Sequence, residues 1–333
     1  MGKRALIAAT MLTAIAGGAV AASPTVQYKV LDSIAGPDGR WDFARIDAAH
    51  HRLLVTRTTS LMTVDLGTNK ITAGLAPGQG LHDVVPVNGG REVLVTRGGS
   101  NDVVFLNTDT WQQIAVLPAG KDPDAAGLDP ATGLALVMNH RGGDVTLIDP
   151  KTHKVAGTIP VGGDLELAAF DGKRHAFINV EDKNEVAVID MSTRKVTGRF
   201  KLPGCDGPTG LAYYEPRKWL IAACDGGTAV IDATAGKPVA TLSTGPAADG
   251  VAVDTKRRLA FVPGRDGTLS VISLEGSKPA VVQMLKTGPN NRTLALDEET
   301  GRIYLPSAEF QKAVNGERAP AVAGTFKLVV VGP

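Results

Sequence analysis

The sequence predicts an all-β fold, a seven-bladed β-propeller of four-stranded antiparallel blades. Three observations predict it. Residues 164–203 hold four short apolar runs, LELAAF, HAFINV, EVAVID and KVTGRF, separated by the turn segments DGK, EDKN and STR. Short runs rich in Val, Ile and Phe, bounded by Gly, Asp and Asn, read as strands joined by tight turns. The same four-strand pattern recurs along the chain at a spacing of 40–43 residues, the period of a propeller blade. Finally, 39 glycines and 20 prolines among 333 residues leave little room for helix. One four-stranded sheet cannot bury both faces alone, so the copies must pack on one another.

The chain opens with Lys3 and Arg4, an apolar run and the small residues Ala19-Val20-Ala21. This pattern predicts a secretory signal peptide over 1–21, cut near Ala21, and a periplasmic or secreted protein. No other segment is apolar for the ~20 residues a membrane helix needs, so no membrane span is expected in the mature chain. Residues 22–333 are then a single propeller domain, read as a monomer. Removing Lys3 and Arg4 takes lysine plus arginine from 35 to 33 against 34 acids. Without a basic stripe, nucleic acid is not an expected partner.

The first strands align as WDFARID from Trp41, LHDVVPV from Leu81, PDAAGLD from Pro123, LELAAFD from Leu165, PTGLAYY from Pro208, ADGVAVD from Ala248 and NRTLALD from Asn291. Below their opening residues the strands read as an apolar, glycine-poor wall. The second strands run from Arg52, Glu92, Leu134, His175, Trp219, Leu259 and Arg302, and most third strands end in a pattern like VTLID or VAVID. Six copies continue into a fourth strand. The seventh does not, but YKVLDSIAG at 28–36 looks like the fourth-strand sequence KVAGTIPVG from Lys154. The N-terminal strand is therefore expected to complete the blade formed by about 290–333, which closes the ring and removes a sheet edge.

The stretch 145–162, VTLIDPKTHKVAGTIPVG, and LVTR at 54–57 resemble the YVTN-repeat (YncE-like) propeller family, a WD40-like repeat class. The segments beginning at Asn179 and Gly204 are similar to an exported branch of it. The resemblance covers the mature chain and implies a seven-bladed, often exported propeller. It implies no particular activity.

First strands line a propeller's channel, so their second residues form a ring at one mouth. These are Asp42, His82, Asp124, Glu166, Thr209, Asp249 and Arg292. The ends of the second strands add a rim: Arg57, Arg97, Asn139, His140, Arg141, Asn179, Glu181, Asp225, Arg265 and Glu309. Crowded carboxylates repel unless a cation, a proton or an arginine sits among them. Three readings stay open. The mouth is a solvated channel end. Or Asp42, His82, Asp124, Glu166 and Asp249 hold a divalent cation (calcium, magnesium, manganese or zinc) through oxygen ligands and water. Or the site is metal-free, with His82 as acid/base and Arg292, Arg57 and Arg97 holding an anion.

The corresponding functions are a binding module for an unidentified polar small molecule or cation, a metal-dependent lactonase or lyase using the same ring, and a scaffold for a periplasmic protein. In blade 7 a long segment, 308–324, separates the second and third strands and is a candidate lid or partner contact. Cys205 and Cys224 are the only cysteines. In an oxidising compartment they are expected to pair; two buried thiols are the other reading. The sequence lacks Cys-x-x-Cys-His, the P-loop and Gly-x-Ser-x-Gly patterns, which removes c-type haem, P-loop and nucleophile-elbow chemistry from consideration.

Overall fold

A computed structural model describes residues 27–312 and 319–333. The signal-peptide expectation falls outside these residues, as does the centre of the blade 7 insertion. The described chain forms seven four-stranded antiparallel sheets arranged as blades. Blades 1–4 begin with the strands Trp41–Asp47, Leu81–Val87, Pro123–Leu128 and Leu165–Phe170. Blades 5–7 begin with shorter strands, Leu211–Tyr214, Ala252–Asp254 and Ala295–Asp297.

Local chemistry explains why each turn falls where it does. The third strands of blades 1–5 end in Asp or Asn because that side chain accepts backbone N–H groups two and three residues ahead. Asp65 does so for Gly67 and Thr68, Asn107 for Asp109 and Thr110, and Asp232 for Thr234 and Ala235. These Asx turns launch the fourth strand. The Asp that closes a first strand works the same way: Asp129 accepts from Ala131 and Thr132, and Asp171 from Lys173 and Arg174.

Alternate residues of the inner strands point between blades and form the core. In blade 4, Leu167, Ile178 and Val188 are buried, and Phe170 packs against them. Each such side chain contributes roughly 1.5–3 kcal/mol by leaving water.

The N-terminal strand, Lys29–Ala35, pairs antiparallel with the last strand, Lys327–Gly332, from Lys29 opposite Gly332 to Ala35 opposite Lys327. It thereby supplies the fourth strand of blade 7. Gln283 of blade 6 binds both backbone groups of Tyr28, accepting from its N–H at 3.0 Å and donating to its carbonyl at 2.7 Å. Cys205 and Cys224 are joined by a disulfide, with Cα atoms 5.3 Å apart.

The channel wall departs from the expected apolar, glycine-poor character. One position below the ring, blade 2 carries Asp83, fully buried and held by Arg45 at 2.7 and 3.0 Å. Blades 5 and 6 carry Gly210 and Gly250 at that level. A Cβ on Gly210 would lie 2.7 Å from the Gly250 backbone. The backbones approach too closely for any side chain, which is why glycine stands where the pattern predicts an apolar residue.

Candidate functional site at the channel mouth

The ring positions converge on one polar cavity of about 620 Å³. Asp42, His82, Asp124, Glu166, Thr209, Asp249 and Arg292 all line it, together with His140, Arg141, Glu181 and Arg265 of the rim. They do not assemble as one five-ligand cluster. His82 Nδ1 lies 2.7 Å from Asp42 Oδ2 and 3.0 Å from Asp124 Oδ1. His140 Nδ1 lies 3.1 Å from Glu166 Oε1, with Glu181 completing a second group of close donor atoms. Asp249 is paired with Arg292 at 2.7 Å.

Threonines fix the ring backbone across blade boundaries. The hydroxyl of Thr56 donates to the His82 carbonyl at 2.5 Å, that of Thr96 to the Asp124 carbonyl at 2.9 Å, and that of Thr293 to the Asp42 carbonyl at 2.7 Å. Thr209 turns its own hydroxyl to the Ala248 carbonyl at 2.5 Å.

Three other residues predicted for the site are directed elsewhere. Arg57 is buried; it donates to the carbonyls of Arg40 and Pro37 and lies over the Phe326 ring at 4.0 Å. It clamps the link between the N-terminal strand and blade 1. Burial there lowers its pKa to about 10, against the opposing pull of Asp38. Arg97 binds Asp102 of its own blade at 2.6 Å. Asn179 donates to the carbonyls of Thr209 and Gly210, tying blade 4 to blade 5. An anion site built on Arg57 and Arg97 is therefore not assembled at this mouth.

Two contributors escaped the sequence reading. Asp122 lines the cavity, receives Arg141 at 3.1 Å and lies 4.0 Å from His82 Nε2. It precedes the aligned strand, so a comparison of second residues passes over it; its one signal is the Asp-Pro turn opening blade 3. The other is the aromatic wall. Trp41 stands 5.7 Å from Phe310, at the base of the blade 7 insertion. The described arms of that insertion pair Phe310 with Ala321. Arg40 donates to the Ala319 carbonyl and stacks on Phe310. Phe310 and Ala319 thus form part of the cavity wall.

Burial and partners shape the charge states. Burial alone would lower the pKa of His82, but hydrogen bonding to the Asp124 and Asp42 carboxylates overrides it and pushes it up to about 10. The hydrogen bond to Glu166 raises His140 to about 9 against an opposing burial effect. Burial raises Glu166 to about 8 despite His140, and Asp249 to about 7 despite Arg292. Burial also raises Asp42 and Glu181. At neutral pH the mouth holds protonated histidines beside carboxyl groups that partly keep their protons, a dense set of donors and acceptors available to polar molecules.

No family model and no curated protein matches the chain. Among solved structures it is similar to a chain of Kuenenia stuttgartiensis hydrazine synthase, with a TM-score of 0.72 and 15% identity over 82% of this chain and 94% of that one. It is also similar to a chain in a crystal structure of the mitotic checkpoint complex, with a TM-score of 0.75 and 11% identity over 97% and 99%. At such identities the likeness shows a shared seven-bladed β-propeller fold and nothing about activity.

Proposed function

We propose that the protein is an exported, monomeric binding module of the YVTN-repeat kind, which takes a small polar molecule or a divalent cation at this channel mouth. One observation carries the reading. Six of the seven ring positions hold ionisable side chains, and all seven line a single polar cavity. Stability alone does not ask for this. Buried carboxylates with raised pKa values are costly to hold ionised, and such groups concentrate where a ligand is met. The residues at 1–21 support export.

The test is thermal denaturation of the purified protein against a panel of polar metabolites and the cations calcium, magnesium, manganese and zinc. A ligand present at a hundredfold excess over its Kd stabilises by about 2.7 kcal/mol. At least one should raise the melting temperature, and Glu166→Ala, Asp249→Ala or His82→Ala should diminish the shift. If no compound shifts the wild type, or the shifts survive all three substitutions, the mouth is not the binding site.

A further inference from the structure

We infer that Asp42, His82 and Asp124 form a site for a divalent transition metal of the zinc or cobalt type. The inference rests on the mouth being a binding site and names what binds there. The imidazole nitrogen His82 Nδ1 carries at most one hydrogen, yet two carboxylate oxygens face it at 2.7 and 3.0 Å. One N–H can serve one of them fully; the second oxygen is at contact distance with a shared proton. A metal ion in place of that proton engages all three atoms at once. Ligands bound at about 2.0–2.2 Å stand roughly 3 Å apart around a metal, close to the separations already present.

Four independent features suit the cluster to this role. Each ligand comes from a different blade, and each one's carbonyl is fixed by a threonine hydroxyl of a neighbouring blade: Thr293 for Asp42, Thr56 for His82 and Thr96 for Asp124. The donor atoms are thus preorganised by backbone rather than by side-chain packing alone. The other ring nitrogen, Nε2, has the Asp122 carboxylate 4.0 Å away, beyond hydrogen-bond distance but near enough to favour positive charge at the ring, and Asp122 is itself held by Arg141. Gly98 leaves room for this arrangement: a Cβ there would lie 2.5 Å from Asp122 Oδ1 and 2.7 Å from His82 Nε2. Finally, the side chains of His82, Asp42 and Asp124 stay 21, 24 and 19% exposed towards the cavity, so an ion has a route in and a position remains open to solvent or ligand.

Imidazole nitrogen with two carboxylates suits zinc, cobalt, nickel or manganese rather than calcium or magnesium, which take all-oxygen sets. The other histidine cluster is less suited. His140 Nδ1 faces one carboxylate, at 3.1 Å, and the Leu165 carbonyl at 3.3 Å, so its position is explained without an ion.

The experiment is titration of untagged, chelator-treated full-length protein with cobalt(II), read by visible absorption and by metal analysis after dialysis. One equivalent should bind with a visible ligand-field band. His82→Ala should abolish the band, and the Asp42→Asn/Asp124→Asn double variant, which keeps the imidazole and the side-chain volumes, should do so even if His82→Ala folds poorly. Asp122→Asn should keep the stoichiometry and weaken binding by less than about 10-fold, because its carboxylate lies beyond hydrogen-bond distance of Nε2. His175→Ala, a histidine 2.8 Å from Asp171 and away from the mouth, should behave as wild type. Absence of a one-equivalent complex in the wild type overturns the inference, as does undiminished binding by the double variant. If cobalt fails while an organic molecule still stabilises through Glu166 and Asp249, the metal inference falls and the binding-module reading stands.

Discussion

The two halves of the mouth are built differently. In blades 1–4 the first strand starts one residue before the ring position, so Asp42, His82, Asp124 and Glu166 sit inside strands of six or seven residues, each at a β-bulge flanked by paired residues. In blades 5–7 the strand starts two or three residues after the ring position, leaving Thr209, Asp249 and Arg292 outside the strands. The first half gathers its side chains into both histidine clusters. The second half brings backbones together instead: Gly210 against Gly250, Gly250 against Leu294, and Asp249 N–H to the Arg292 carbonyl at 2.9 Å. A bulge held between paired residues re-aims a side chain, and close backbone approach removes the side chains. Titratable chemistry therefore concentrates where a bulged strand reaches the mouth.

Substituting the second half's closest contact should have the largest effect. Gly210→Ala places a Cβ 2.7–3.0 Å from three backbone atoms of Gly250 and Val251, and backbone cannot step aside as a flexible side chain can. Overpacking of this kind costs about 3 kcal/mol, visible as a lower denaturant midpoint with an unchanged m-value. A Gly210→Ala protein as stable as wild type would mean that the glycines are incidental and the two halves are alike in packing.

His82→Ala tests the first half. It leaves Asp42 and Asp124 facing each other without their shared cation, and should cost about 2–3 kcal/mol, below the 3–5 kcal/mol of fully buried pairs because the cluster is partly exposed. The pH profile gives a second readout. In metal-free protein His82 keeps its proton to about 10, against about 6.5 in an unfolded chain. Its contribution is complete below about pH 6.5 and disappears as pH rises through about 10. Asp42 and Asp249, both raised by burial, also bind protons more tightly when folded, so they too lose stability with rising pH. The melting temperature should fall between pH 7 and pH 10, and His82→Asn should flatten that fall. A profile that is equally steep in the variant would place the titrating group elsewhere.

What the sequence made legible was whatever repeats. Spacing defined the blades, the closing Asp and Asn residues marked the turns, and the fourth-strand likeness of residues 28–36 placed the N-terminal strand on blade 7. The ring column was legible for the same reason: the repeat carries one position of every blade to the same mouth, whether it lies at a bulge or just before the strand. The rim was legible only in part: His140, Arg141, Glu181 and Arg265 line the cavity, whereas Arg57, Arg97 and Asn179 do not, because a residue at the end of a ladder takes its direction from neighbours distant in sequence. Arg57 and Arg97 close the identical segment VTR, yet one lies under Phe326 and the other binds Asp102. Phe326 comes from blade 7, and nothing near Arg57 in the chain announces it. Asp83 and Gly210 escaped because each is the exception in its layer, set by one partner, Arg45 or Gly250.

Thr209→Val should have a smaller effect than either substitution above. The isosteric change removes a hydroxyl that donates to the Ala248 carbonyl at 2.5 Å and leaves that carbonyl short of a partner, for about 1 kcal/mol. Equilibrium unfolding resolves such a difference. A loss as large as that of Gly210→Ala would show that hydrogen bonds, rather than backbone contact, hold blades 5 and 6 together.

Arg292→Ala should have the smallest effect, although it removes an ion pair at 2.7 Å. The arginine side chain is 40% exposed, so water screens the pair and little is gained from it, about 0.5 kcal/mol. Its partner also has another way to stay neutral. Burial already holds Asp249 near a pKa of about 7 with Arg292 present, and losing the guanidinium raises it further, so the carboxyl takes up a proton instead of remaining an unpaired charge. The variant should be nearly as stable as wild type at pH 6 and measurably less stable at pH 8, where keeping that proton costs more. His82→Ala allows only a partial escape: one of Asp42 and Asp124 can take up a proton, but the imidazole's packing and its bonds to both carboxylates are lost. If Arg292→Ala proved the more damaging of the two at pH 6, the electrostatic weight of the mouth would lie in blades 6 and 7, and the contrast between the halves would be reversed.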